Sequence, residues 1–312
     1  MLVYRGFSHA APAPTALTIG NFDGVHQGHR ALLGKLNAVA QDNGLLPAVL
    51  TFEPHPREFF AARSAPTRLS TLREKLELIA DEGVAATWVI HFNTRFAALS
   101  ADDFIERLLV DALRVKHVVI GDDFRFGAGR RGDFALLREA GARHGFAVEA
   151  MDSVLIDGER ASSSLVREAL AAGQMERAAR VLGRPYTIDG RVVHGDKVGR
   201  QLGFATANIR IKHDNPPLLG VFAVEVTIAQ GLEHGGTPLP GVANVGFRPS
   251  ANALSRPLLE IHLLDFAGNL YGKHLNVRFL HKIRSEMKFP SFDALKAQIA
   301  RDVESAKDYF KY

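Results

Sequence analysis

The texture of this chain changes once, at Gly183-Arg184-Pro185, and that change limits the folds open to it more than any other feature. Before it, short β-rich runs at 16–20, 47–52, 86–92, 115–121 and 147–151 alternate with helical patterns. Strand and helix in alternation predict a parallel sheet joined by crossover helices, with ligands bound beyond one edge of that sheet. After it, from Tyr186, strand-like pieces at 190–194, 220–228, 258–264 and 274–279 follow one another with frequent Gly and Pro. That pattern predicts antiparallel strands closing into a small barrel. Two domains, 1–183 and 184–312, are therefore expected, and 312 residues exceed what a single core usually serves.

Local signals fill in the helices. Thr71 with Glu74 forms a capping box ahead of Leu72, Leu76 and Ile79 on one face, and Ser100 with Asp103 opens another helix through Leu109. Asp157-Gly158 reads as a tight turn, after which Ser162, Ser163 and Ser164 cap a helix running toward Gly173. At the end of the chain Phe292, Leu295, Ile299, Val303, Ala306 and Phe310 fall at helical spacing, so a helix is expected to pack on the barrel.

Composition then narrows the chemistry. The chain has no cysteine, which removes disulfides, thiolate catalysis and cysteine-bound zinc together. Its start lacks the apolar run of a signal peptide and no segment has the length of a membrane span, so a cytoplasmic location without membrane contact is expected. Residues 1–183 carry 21 Lys and Arg against 22 Asp and Glu, whereas 184–312 carry 17 against 12. A mild basic excess without a dense basic run suits phosphorylated small molecules and argues against nucleic acid.

The strongest local motif is GNFDGVHQGH at 20–29, at the junction of the first β-rich run and a helical pattern. Such a turn presents backbone N–H groups and the positive end of a helix to an anion, and Gly20 and Gly24 permit close approach. His26 and His29 stand three residues apart and share a helical face, within reach of the same phosphates. As a pair they are equally compatible with a polar surface turn; the strand-to-helix context favours a site. The motif resembles that of the HxGH nucleotidyltransferases. FEPHP at 52–56, GDDFRFG at 121–127 and SSSLVR at 162–167 are similar to the bacterial bifunctional riboflavin kinase/FMN adenylyltransferase family. The resemblance implies ATP binding by Gly20, Asn21, Phe22, Asp23, Gly24, Asp123, Ser163, Ser164 and Arg167, with His26 and His29 catalytic. Asp123 replaces a frequent Asn and Ser164 a usual Thr.

A second cluster, GRVVHGDKVGRQLGFATAN at 190–208, reads by glycine spacing alone as a turn-rich hairpin. Thr206 and Asn208 offer side-chain oxygens to a hard cation. In LEIHL at 259–263 strict alternation puts Glu260 and His262 on the polar face, which by itself describes a solvated strand. The cluster is nevertheless similar to the GFPTAN signature of riboflavin kinases, with Ala205 in place of Pro, and GVFAV, NVGFRP and LEIHLLDF follow it. The resemblance thus covers nearly the whole chain. It implies ATP binding by Gly190, Gly195, Gly199, Thr206 and Asn208, a Mg²⁺ site at Thr206 and Asn208, and Glu260 as general base. Arg284 is open to flavin or phosphate binding or to a salt bridge. The implied fold is a Rossmann-like α/β nucleotidyltransferase domain, then an antiparallel riboflavin kinase-like β-barrel with a C-terminal helix. The implied partners are riboflavin, FMN and ATP, used to make FMN and then FAD. An adenylyltransferase for another metabolite fits the second half poorly, and a flavin-binding protein with a decayed site fits poorly with intact His26, His29, Thr206, Asn208 and Glu260.

Overall fold

The computed structural model describes residues 1–8, 10–194, 204–211, 215–228, 236–247 and 257–311. By packing these fall into two units, Met1–Pro66 with Ser70–Ser162, and Thr67–Leu69 with Ser163–Tyr312.

In the first unit the chain runs β1 (Leu2–Arg5), β2 (Thr15–Ile19), α1 (Gln27–Asn43), β3 (Leu46–Glu53), α2 (Pro56–Phe60), α3 (Leu72–Asp81), β4 (Ala86–His91), α4 (Thr94–Ala97), α5 (Ala101–Asp103), β5 (Val115–Gly121), α6 (Phe134–His144) and β6 (Ala147–Met151). Helix α5 continues into a wide π-turn segment, Phe104–Ala112. Hairpin strands β7 (Leu155–Ile156) and β8 (Glu159–Arg160) end the unit. The six long strands form one sheet in the order β1-β4-β3-β2-β5-β6, and every pairing is parallel. Both faces are covered, which is why β2 is buried along its whole length. One core holds Leu17, Leu50, Trp88 and Leu108; the other holds Phe22, Leu33, Leu36 and Ile79. The order matters for function. From β2 the chain winds outward to β3 on one side, while β5 pairs on the other, so β2 is the switch point where such sheets bind ligands.

The second unit opens with α7 (Ser163–Ala172) and α8 (Met175–Leu182), which pack together and, through α8, against the barrel. Strands β9 (Tyr186–Val193), β10 (Ala207–Arg210), β11 (Gly220–Ile228), β12 (Leu239–Phe247), β13 (Pro257–Leu263) and β14 (His274–Arg284) close a barrel in the order β10-β13-β12-β11-β14-β9. All of its pairings are antiparallel. Alternation sends Ile209, Phe222, Ala243, Leu259, Ile261, Val277 and Phe279 inward, leaving the neighbouring residues of each strand outside.

Helix α9 (Phe292–Phe310) begins at Ser291, whose hydroxyl accepts from Ala294 N at 3.2 Å. Val303, Ala306, Ile299 and Phe310 pack on Val221, Ala223 and Val242 of the outer barrel wall, as their spacing predicts. Phe292, expected on the same face, is 67% exposed because it lies in the first turn, before the helix reaches the barrel.

Candidate active sites

The motif at 20–29 leaves the carboxyl end of β2 and enters α1 at His26, its N-cap. Between them Phe22 (φ 50°), Gly24 (φ 80°) and Val25 (φ 39°) take left-handed backbone conformations. The Phe22 ring is fully buried, and a side chain at Gly20 would approach it to 3.1 Å, a tight contact. His26 and His29 stack with ring centroids 3.7 Å apart, and Phe22 lies 4.9 Å from His29. The Nδ1 of His29 is closed to solvent and has no hydrogen-bond partner among the described residues. Burial holds His29 well below the usual imidazole pKa, and the nearby His26 and Lys75 of α3 push it the same way. This corner thus sets a neutral His29 beside the buried Lys75, which is 2% exposed. It suits an arriving polyanion.

Other residues expected around ATP have different surroundings. The Asp23 carboxylate is 3% exposed and accepts from Ser70 N at 3.1 Å and Ser70 Oγ at 3.2 Å. Asp123 follows β5, next to β2 in the sheet, and its carboxylate pairs at 3.1 Å with Arg160, which also grips Asp122 at 3.1 Å. Ser163, Ser164 and Arg167 belong to the second unit, and Arg167 Nε donates to Thr67 O there. Sequence reasoning missed Ser70, Lys75 and Arg160; only Ser70 left a trace, as the residue ahead of the Thr71 capping box. FEPHP ends β3 on the other side of β2, where Phe52, Phe59, Phe60, Phe92 and Phe96 form a chain of ring contacts at 5.1–5.8 Å. Phe60 is 69% exposed, so an aromatic face is open to a planar ligand at the same sheet edge.

In the barrel, Glu260 of β13 lies directly opposite Asn208 of β10 on one side and Asn244 of β12 on the other. All three project outward, in a row across three strands. Cross-strand partners have Cβ atoms about 4.5–5.5 Å apart, so this row is one polar site. The Asn208 side chain is 5% exposed and its Oδ1 has no hydrogen-bond partner among the described residues. Thr206 stands just before β10, and its loop is held by a hydrogen bond from His262 Nδ1 to Ala205 O at 2.9 Å. Asn244 lies within NVGFRP, and only the strand register reveals its place beside Glu260. Gly190 lies inside β9, where a side chain would collide with Ile209 Cγ2, so packing against Ile209 leaves room only for glycine. Gly195 and Gly199 lie outside the described residues. Arg284 is committed to α9: Nε and Nη2 bind Asp302 at 2.9 and 2.7 Å.

These two polar sites, one on each unit, correspond to two matched family models. The one described as FAD synthetase spans residues 8–165, and the one described as riboflavin kinase spans 182–310. The chain belongs to the bifunctional riboflavin kinase/FMN adenylyltransferase family. The Escherichia coli bifunctional riboflavin kinase/FMN adenylyltransferase is 50% identical over 313 residues, covering 99% of this chain and 98% of the relative. That of Haemophilus influenzae is 50% identical over 295 residues, covering 95% and 94%, and that of Pseudomonas fluorescens 47% over 309, covering 98% and 97%. A crystal structure described as a macrolide-efflux protein from Streptococcus pneumoniae matches with a TM-score of 0.84 at 26% identity, covering 98% of this chain and 99% of that one. As a member of that family, the chain phosphorylates riboflavin to FMN and adenylylates FMN to FAD. Among the described residues no helix is long and apolar enough to cross a membrane.

Proposed function

We propose that adenylyl transfer takes place at the turn after β2 and riboflavin phosphorylation on the outer wall of the barrel. The stacked His26–His29 pair at the switch point carries the first assignment. There a phosphate oxygen of FMN attacks the α-phosphorus of ATP, and pyrophosphate leaves. His26 and His29 hold the phosphates and stabilise the charge that develops on the leaving group. The exposed phenylalanine face beside β3 suits the flavin ring.

In the barrel, the row Asn208–Glu260–Asn244 supports Glu260 as the base. Glu260 takes the proton of the 5′-hydroxyl of riboflavin as that oxygen attacks the γ-phosphorus of ATP, releasing ADP. The Asn208 Oδ1, without a hydrogen-bond partner among the described residues, and the Thr206 hydroxyl would suit a Mg²⁺ ion. When bound, the ion neutralises charge on the transferring phosphoryl group. Use of ATP supports a cytoplasmic location, and the change of sequence texture supports a functional boundary near Gly183.

Full-length enzyme supplied with riboflavin, ATP and Mg²⁺ tests both assignments. His29→Ala is expected to stop FAD formation while FMN still accumulates. Glu260→Gln is expected to stop FMN formation from riboflavin while supplied FMN is still converted to FAD. Equal loss of both reactions in either variant would overturn the assignment of that residue.

A further inference from the structure

The turn at 20–26 has an unfavourable shape: Phe22 and Val25 both have positive φ, and Val25 is β-branched. Such residues cost about 1–3 kcal/mol each and persist only where surrounding contacts over-determine them. Three of the hydrogen bonds that hold the turn come from one residue outside the motif. Ser70, 4% exposed, donates its backbone N–H to Asp23 Oδ1 at 3.1 Å and its hydroxyl to the same oxygen at 3.2 Å, while its Oγ accepts from Gly24 N at 3.1 Å. The bonded residues, Asp23 and Gly24, lie between Phe22 and Val25. Ser70 itself is fixed because Thr71 caps α3 through a reciprocal pair with Glu74, at 3.3 and 2.6 Å. A chain of hydrogen bonds, buried at Ser70, therefore runs from the start of α3 to the turn that carries the two histidines.

We propose that Ser70 is a positioning residue for adenylyl transfer, holding the turn at 20–26 in its strained shape through Asp23 so that His26 and His29 meet the phosphates of ATP. Asp23 acts in this clamp and not as a phosphate contact; a carboxylate aimed at ATP would repel it, whereas here it is turned toward two donors. The inference rests on the assignment of His26 and His29 to ATP.

Ser70→Ala removes the hydroxyl that accepts from Gly24 N and donates to Asp23, while the backbone bond from Ser70 N to Asp23 remains. Small displacements of groups that act in the transition state cost up to about 100-fold. In the full-length enzyme, kcat for FMN adenylylation should fall about 10–100-fold, as for lost transition-state contacts. KM for FMN should change little, and riboflavin phosphorylation should stay near normal. Ser70→Thr keeps the hydroxyl and should restore most of the turnover. Asp23→Ala should match Ser70→Ala, and the double variant should be no worse than either alone, because the two residues act as one unit. Retained adenylylation in Ser70→Ala, failure of Thr to rescue, equal loss of both activities, or effects that multiply in the double variant would each overturn the proposal. His29→Ala assayed alongside separates the two ideas: if it leaves FAD formation intact, the phosphate-site assignment itself has failed.

Discussion

Asp302→Ala should weaken the barrel unit at one identifiable point. Asp302 is 3% exposed on α9 and accepts from Arg284 Nε and Nη2 at 2.9 and 2.7 Å and from Gln298 Nε2 at 2.8 Å. Removing one member of a buried pair leaves the other charge without its partner, at a cost of about 3–5 kcal/mol. Arg284 retains 17% side-chain exposure, and its guanidinium still has Ser285 O and the Phe289 ring, so the lower end applies, about 3 kcal/mol. At about 2–4 °C per kcal/mol for a unit of this size, the shift is about 6–12 °C. The assay is thermal inactivation of riboflavin kinase activity, with fluorescence of Trp88, the one tryptophan of the chain, monitoring the first unit. Arg284→Met with Asp302→Leu removes both charges and should recover most of the loss. A shift below about 2 °C in Asp302→Ala, or a double variant as labile as the single, would refute the reasoning.

Two further outcomes follow. Because His29 is kept neutral in the folded protein, the unfolded chain takes up a proton that the native state refuses as pH falls below about 6.5. Stability of the first unit should therefore drop below that pH, and His29→Gln should flatten the dependence of its Trp88 melting temperature; an unchanged slope would count against the buried neutral imidazole. A fragment of residues 184–312 should phosphorylate riboflavin and make no FAD, and one of residues 163–312 should be the more stable because α8 packs on β9 and β14. Absence of FMN production by both fragments would sink the separability of the two activities.

Much of the fold could be read from the sequence because hydrophobic runs in a doubly covered sheet are strong signals. The expected runs at 115–121 and 147–151 coincide with β5 and β6, and those for β2, β3 and β4 are off by a residue. Strand β1 was missed: it is four residues long, lies on the sheet edge and is mostly exposed, so it has no apolar run. In the barrel, β12 was not read as a strand because Pro240, Gly241 and Gly246 punctuate it, and β10 was hidden inside a glycine-rich motif. The same distinction holds for the sites. His26 and His29 are separated by three residues and could be paired on paper, whereas Ser70 reaches Asp23 across 47 positions. Asn244 joins Glu260 only through strand register. Glycine-rich segments were the least legible, since Gly190 in the barrel interior and Gly20 above Phe22 answer to packing that spacing does not encode.

Closure of the barrel gives the kinase a form of robustness. Glu260, Asn208 and Asn244 come from three different strands, and their alignment depends on register alone. A one-residue slip of β13 would turn Glu260 into the interior and bring Leu259 or Ile261 to the surface. Since β9 pairs with both β10 and β14, no strand has a free edge along which to slide. The connections between strands can therefore lengthen, shorten or change composition among descendants while the reacting groups stay in line, so substrate preference can drift without dismantling the chemistry.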